Sequence, residues 1–136
     1  DWSSDVCSYD LKGIEINLPE GLHFLDKVGN VRRSMRIRWW DRFAKNYKDS
    51  FFGPDHAKAH IPDDEISGDY VIDYDYHEAP VFLGHYWMEG TPELLAPNIA
   101  CTDYSVAKPG GKLVAYRWDG ENRLDNHSFV SVDRID

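Results

Sequence analysis

Long apolar runs are missing from this chain: none approaches the ~18 residues that a bilayer-crossing helix requires, so no transmembrane segment or membrane partner is expected. Cysteine is scarce. Cys7 and Cys101 are the only two in 136 residues, enough for one bridge at most and not for a disulfide framework, which favours a reducing compartment. The first residues are acidic and polar, with no basic n-region and no apolar h-region, so a cytoplasmic location is the expectation. Positive charge is also in short supply. Lys and Arg number 15 against 24 Asp and Glu, for a net charge of -9, which excludes a nucleic-acid backbone or an anionic membrane surface as the default partner. An anionic substrate would need a metal or a local basic group to hold it.

What is present suits one soluble domain or part of a larger one, with 42% hydrophobic and 29% charged residues. The first eleven residues stand apart. Asp1-Trp2-Ser3-Ser4-Asp5-Val6-Cys7-Ser8-Tyr9-Asp10-Leu11 resembles a translated DNA-sequencing adapter that differs only at Tyr9, where one base change turns a Ser codon into Tyr. Residues 1–11 are therefore expected to be adapter-derived. Residues 12–136 are expected to be the C-terminal part of a single domain in a longer protein. Without Asp1, Asp5 and Asp10 the chain would be three charges less negative, and without Cys7 no intrachain bridge could form.

Beyond that point, alternation dominates. Ile14, Ile16 and Leu18 alternate with Glu15 and Asn17, which predicts a half-buried strand closed by a turn at Pro19-Glu20-Gly21. A short strand over Leu22–Leu25 and a turn over Asp26–Asn30 follow. From Val31 to Trp40, Met35, Ile37 and Trp39 alternate with Ser34, Arg36 and Arg38, completing a small antiparallel unit. Arg32, Arg33, Arg36 and Arg38 are its concentrated positive charge. They suit either bidentate anion recognition or a solvated face paired with nearby carboxylates, and the solvated face is the commoner fate. Trp39-Trp40 reads first as packing and second as a stacking surface.

A short helix is predicted over Asp41–Lys48 from Phe43 and Tyr47, then a connector from Phe51 to Asp69 with some helix near Pro54–His60, broken by Pro62 and Gly68. His56 and His60 share a helical spacing but lack a zincin glutamate, and Asp75-Tyr76-His77 has Asp-x-His spacing without framing glycines. Neither reads as a metal site. Asp125-Asn126-His127 reads as a turn.

The most distinctive stretch is Pro80-Val81-Phe82-Leu83-Gly84-His85-Tyr86-Trp87. A short apolar run ends in a glycine and then a histidine, which predicts a strand leaving the sheet edge with His85 facing a site. Gly84 is expected to supply the sharp turn. Gly90, Pro92 and Pro97 predict a loop, Asn98–Tyr104 a short buried run, and Lys108-Pro109-Gly110-Gly111 a turn. Lys112–Trp118 is a clear strand, Asp119-Gly120 turns the chain, and Ser128–Val132 is a last strand. The strands on either side of Pro109-Gly110 are expected to form a hairpin beside the His85 strand.

Together with Leu95–Ser105 and Gly111–Glu121, the His85 stretch resembles the C-terminal end of bacterial calcineurin-like metallophosphoesterases. The likeness is to the branch near serine/threonine phosphatases, diadenosine polyphosphate hydrolases and polynucleotide phosphatases. Lys12-Gly13-Ile14-Glu15, Leu18-Pro19, Asp26-Lys27, Gly29 and Arg38-Trp39-Trp40 resemble the segment leading into it, while Phe51–Glu78 is least characteristic. The resemblance implies an α+β fold, a β-sandwich flanked by helices that is incomplete here, with a dinuclear centre at the strand-end loops. It implies two divalent ions (manganese, iron or zinc) and hydrolysis of a phosphate ester by metal-activated water. Of the family's ligand motifs only Gly-His occurs, at Gly84-His85, so His85 would be a metal ligand. Trp87 replaces the second histidine of a Gly-His-x-His form, and the catalytic Asn-His motif is missing. The chain alone is therefore expected to be inactive. Its implied partner is a phosphorylated substrate: a phosphoprotein, a dinucleotide polyphosphate or a nucleic-acid end. The competing expectation is a small aromatic-rich module, for example for carbohydrate, using Trp39, Trp40, Trp87 and Trp118.

Overall fold

The computed structural model describes residues 13–67 and 73–135. The expectations for residues 1–11 and for Gly68 lie outside them. Two compact units result, Gly13–Asp73 and the chain from Tyr74 onward.

In the first unit the predicted alternation becomes β1 (Glu15–Asn17), with Ile16 buried and its neighbours exposed. The turn after it is closed by the Leu22 amide donating to the Pro19 carbonyl at 3.1 Å. β2 (Phe24–Leu25) and β3 (Val31–Arg32) form a hairpin in which Phe24 lies opposite Arg32. Its turn is organised by the Asp26 carboxylate, which accepts from the backbone amides of Val28 at 3.0 Å and Asn30 at 2.9 Å and from Arg32 Nε at 2.9 Å. These donors favour the ionised form, and the Asn30 amide contributes most, drawing the Asp26 pKa down to about 2.

β4 (Ser34–Ile37) pairs antiparallel with β1, Met35 opposite Ile16, and β5 (Phe51–Phe52) pairs with β4, Phe51 opposite Ile37. The sheet order is β1-β4-β5. Ile16, Leu18, Phe24, Met35, Ile37, Phe51, Ala57 and Ile61 form one buried apolar cluster. Each large side chain buried there contributes roughly 1.5–3 kcal/mol.

Two expectations in this unit need correction. The helix predicted over Asp41–Lys48 is instead α1 (Tyr47–Ser50), because Asn46 caps it: its Oδ1 accepts from the Asp49 amide at 2.7 Å. The expected connector contains β5 as well as the helical turn α2 (Asp55–Lys58). Phe51 and Phe52 enter the sheet because Ile37 and Arg36 offer them an open edge.

The second unit has two small sheets. β6 (Val81–Leu83), β7 (Leu94–Ala96) and β8 (Ile99–Cys101) form one, in the order β6-β8-β7. β8 is central, parallel to β6 and antiparallel to β7, and all three of its residues are buried. β7 corrects the loop expected after His85. Its three residues lie between Pro92 and Pro97, and pairing with β8 makes them a strand. β9 (Asp103–Tyr104), β10 (Lys112–Tyr116) and β11 (Phe129–Asp133) form the other sheet, with β10 in the middle. The expected β9–β10 hairpin is present. It lies beside β6, since the Phe82 ring packs on Tyr116 at 5.4 Å and Trp118 at 6.0 Å.

The fold is thus β-rich, with few and short helices among the described residues. None of those helices is long and apolar enough to cross a membrane.

Candidate functional site

β6 is an edge strand, and the chain leaves it at Gly84. Gly84 does not take the left-handed conformation; His85 (φ 63°) and Trp87 (φ 53°) do. A Cβ on Gly84 would meet nothing within 4 Å. The sharp turn therefore rests on the histidine, not on the glycine expected to provide it. A left-handed non-glycine residue costs roughly 1–2 kcal/mol, so two of them two positions apart in the chain need a cause.

That cause is a polar frame on β8 and β9. The Thr102 amide donates to the Leu83 carbonyl at 3.0 Å, which holds the end of β6. The Asp103 carboxylate accepts from the amides of Trp87 and Ser105, both at 3.1 Å, and the Asp103 carbonyl accepts from Met88 at 2.9 Å. Ser105, itself at φ 58° and buried, donates its hydroxyl to the Met88 carbonyl at 3.0 Å. Tyr86 turns inward and is 3% exposed, and its burial leaves His85 and Trp87 on the outside.

On the outer side of the corner, the His85 and Trp87 rings meet edge to face at 6.3 Å. Lys108 Nζ sits 4.4 Å from the centroid of the Trp87 ring, a cation–π arrangement. Lys108 is positioned by a compact turn in which its amide donates to the Ser105 carbonyl at 2.8 Å and its carbonyl accepts from Gly111 at 3.0 Å. Gly111 has to be glycine, because a Cβ there would lie 1.9 Å from the Ser105 oxygen. The corner therefore presents an imidazole, an indole face and an ammonium group together. Such a set can ligate a metal through the imidazole and attract an anion through the ammonium.

Asp103 and Lys108 are the residues that sequence reasoning missed. The ring-to-ammonium contact joins positions far apart in the chain, and only the Ser105–Gly111 turn brings them close. No group of three or more His, Cys, Asp or Glu side chains is placed to hold a metal among the described residues. His85 fits a metal as one ligand, without a complete set around it.

The remaining sequence candidates sit in local surroundings of their own. His56 Nε2 donates to the Leu25 carbonyl at 3.1 Å, and His60 is exposed at the end of α2. Asp75-Tyr76-His77 and Asp125-Asn126-His127 form the same small motif. In each, the Asp Oδ1 accepts from both the backbone amide and Nδ1 of the histidine, at 2.7 to 2.8 Å. The His127 amide, and then its ring, hold the Asp125 carboxyl below the ordinary range. Both rings are almost fully exposed, at 98% and 97%.

The arginines do not share one strand face. Arg32 lies on β3 in an ion pair with Asp26 at 2.8 Å, Arg36 on β4, and Arg33 and Arg38 are exposed outside both strands. Trp40 is 2% exposed and packs edge to face on Trp39 and Phe52, which removes it from any stacking surface. The alternation slips there because β4 ends at Ile37, turning Trp40 inward in place of Trp39.

Comparison with known proteins finds no family model, no curated protein and no solved structure that this chain matches.

Proposed function

We propose that this chain supplies one metal ligand, His85, to a metal-dependent phosphoesterase of the calcineurin-like type that hydrolyses a phosphate ester. The observation that carries the reading is the strained corner. His85 and Trp87 are both left-handed and exposed, and the Asp103 frame holds the chain at Trp87 and Met88. Strain of this kind persists where the surroundings over-determine it, and it clusters at ligand clamps.

The metal ions, when bound, would polarise the phosphoryl oxygen and lower the pKa of a bound water. The chain's own residues do the rest of what is proposed here. His85 holds a coordination position through a neutral ring nitrogen. Asp103 prevents the corner from relaxing, so the imidazole meets the metal without reordering. Lys108 supplies the local basic group that a chain of net charge -9 needs to draw a phosphorylated substrate to the corner. With a single donor in place, the remaining ligands and the acid for the leaving group come from elsewhere in the enzyme. The chain alone should not turn over p-nitrophenyl phosphate with added manganese.

Manganese titration of the nitrogen-15-labelled chain tests the assignment through paramagnetic broadening of histidine ring signals. His85 should broaden before His77 and His127, and His85→Ala should abolish the localised effect. Equal broadening at all three histidines, or none at His85, would sink the ligand role. Metal-dependent hydrolysis by the chain alone would overturn the view that its ligand set is incomplete.

A further inference from the structure

A solvent-open depression of about 500 Å³ lies on the second unit, lined by Tyr76, His77, Pro97, Asn122 and Arg123, of which His77, Asn122 and Arg123 are exposed. None of these belongs to the His85 corner.

Its walls are anchored to a single dipeptide, the Pro97-Asn98 turn between β7 and β8. On one side the Leu124 amide donates to the Pro97 carbonyl at 2.9 Å, which fixes the segment bearing Asn122 and Arg123. On the other side Asn98, wholly buried, donates its side-chain amide to the carbonyls of Asp75 at 3.0 Å and Glu78 at 3.2 Å. That fixes the turn bearing Tyr76 and His77. Tyr116 adds a further tie, since its hydroxyl accepts from the Asp125 amide at 2.9 Å and donates to Glu121 Oε1 at 2.9 Å. The loop carrying Asn122 and Arg123 is thus held at both ends before any ligand arrives.

The chemistry of the lining is specific. Asp75 engages His77 Nδ1, leaving Nε2 as the ring's other polar atom. Arg123 is exposed and has no carboxylate partner among the described residues. A guanidinium presents a planar fork of donors that matches phosphate and carboxylate oxygens. Asn122 adds an amide, while the Tyr76 and Pro97 rings offer flat apolar surface.

We infer that this depression binds a small ring-bearing molecule through one phosphate or carboxylate group. Arg123 takes the oxyanion, with Asn122 and His77 beside it, and Tyr76 and Pro97 flank the ring. The inference stands apart from the metal proposal, since it uses none of the same residues.

The test uses the labelled full chain titrated with phenyl phosphate, benzoate and uncharged benzyl alcohol, followed by NMR. The internal control is His127, whose bonds to Asp125 copy those of His77 to Asp75 but which does not line the depression. Expected are saturable shifts at His77 and Arg123 with phenyl phosphate or benzoate and none at His127. Arg123→Ala should weaken binding by roughly tenfold, and Arg117→Ala should leave it unchanged. The spectra of each variant report directly whether it is folded. Equal shifts at His77 and His127, an unaltered affinity in Arg123→Ala, or equally tight binding of benzyl alcohol would each overturn the proposal.

Discussion

The two units solve the same problem, a small β-rich fold with many tight turns, by different means. In the unit Gly13–Asp73 every left-handed residue among those described is a glycine: Gly13, Gly21 and Gly29. Its stability rests on one apolar cluster around Ile16, Met35 and Ile37. In the second unit three non-glycine residues, His85, Trp87 and Ser105, stand left-handed beside three glycines, and a polar frame of half-buried Asp103 and buried Ser105 restrains the chain at Trp87, Met88 and Ser105. Turns made by glycine cost the fold little and carry no side chain. Turns made by histidine and tryptophan cost more and place functional groups at a corner. The contrast sets side chains, and not bare backbone, at the tight turns of the second unit.

Four substitutions or conditions sharpen that contrast, beginning with the most severe. Gly111→Ala drives a methyl into the Ser105 carbonyl, where no rotamer change can relieve it. It should destabilise the second unit by about 3 kcal/mol or more, read by urea unfolding and by faster amide exchange from Tyr104 to Lys112. An unchanged transition would mean the Ser105–Gly111 turn does not hold the corner. In the first unit, Met35→Ala removes a fully buried side chain and should cost about 2–4 kcal/mol in the same assay. A cost below ~1 kcal/mol would deny that the apolar cluster is that unit's main support.

His85→Gly should act in the opposite direction. Relief of the left-handed strain should raise stability by up to about 1 kcal/mol while removing the imidazole from the manganese-broadening assay. A loss of stability would show that the histidine ring, not the backbone, is what the frame accommodates.

The smallest effect concerns pH. The Asp26 carboxyl is drawn down to about 2 in the folded chain, below its ordinary value of 3.8. Its contribution is therefore present above pH ~4 and is lost as pH falls toward 2. In Asp26→Asn the acid limb of the stability curve should become shallower over that window. An identical limb would remove the hairpin turn from the account of the first unit.

Much of the strand pattern was legible because alternation is a local signal: Ile14, Ile16 and Leu18 against Glu15 and Asn17 report their faces without help. β7 was not, since three residues between prolines carry no period, and only β8 makes them a strand. The helix over Asp41–Lys48 was misplaced because the Phe43–Tyr47 spacing outweighed the stronger cap at Asn46, leaving Phe43 exposed. Of the candidate corner, the sequence shows His85 at a strand end. The left-handed backbone, Asp103 and Lys108 follow from contacts across many residues, which no local pattern encodes.

The parallel pairing of β6 with β8 also sets an order of assembly. β7 and β8 meet across two residues, a closure completed early in folding, whereas β6 can join β8 only after the whole intervening chain has been gathered in. The bond from Thr102 to Leu83 therefore forms late, and the His85 corner becomes whole only when it does. Run in reverse, release of β6 from β8 would open the corner while the β7–β8 hairpin could remain closed.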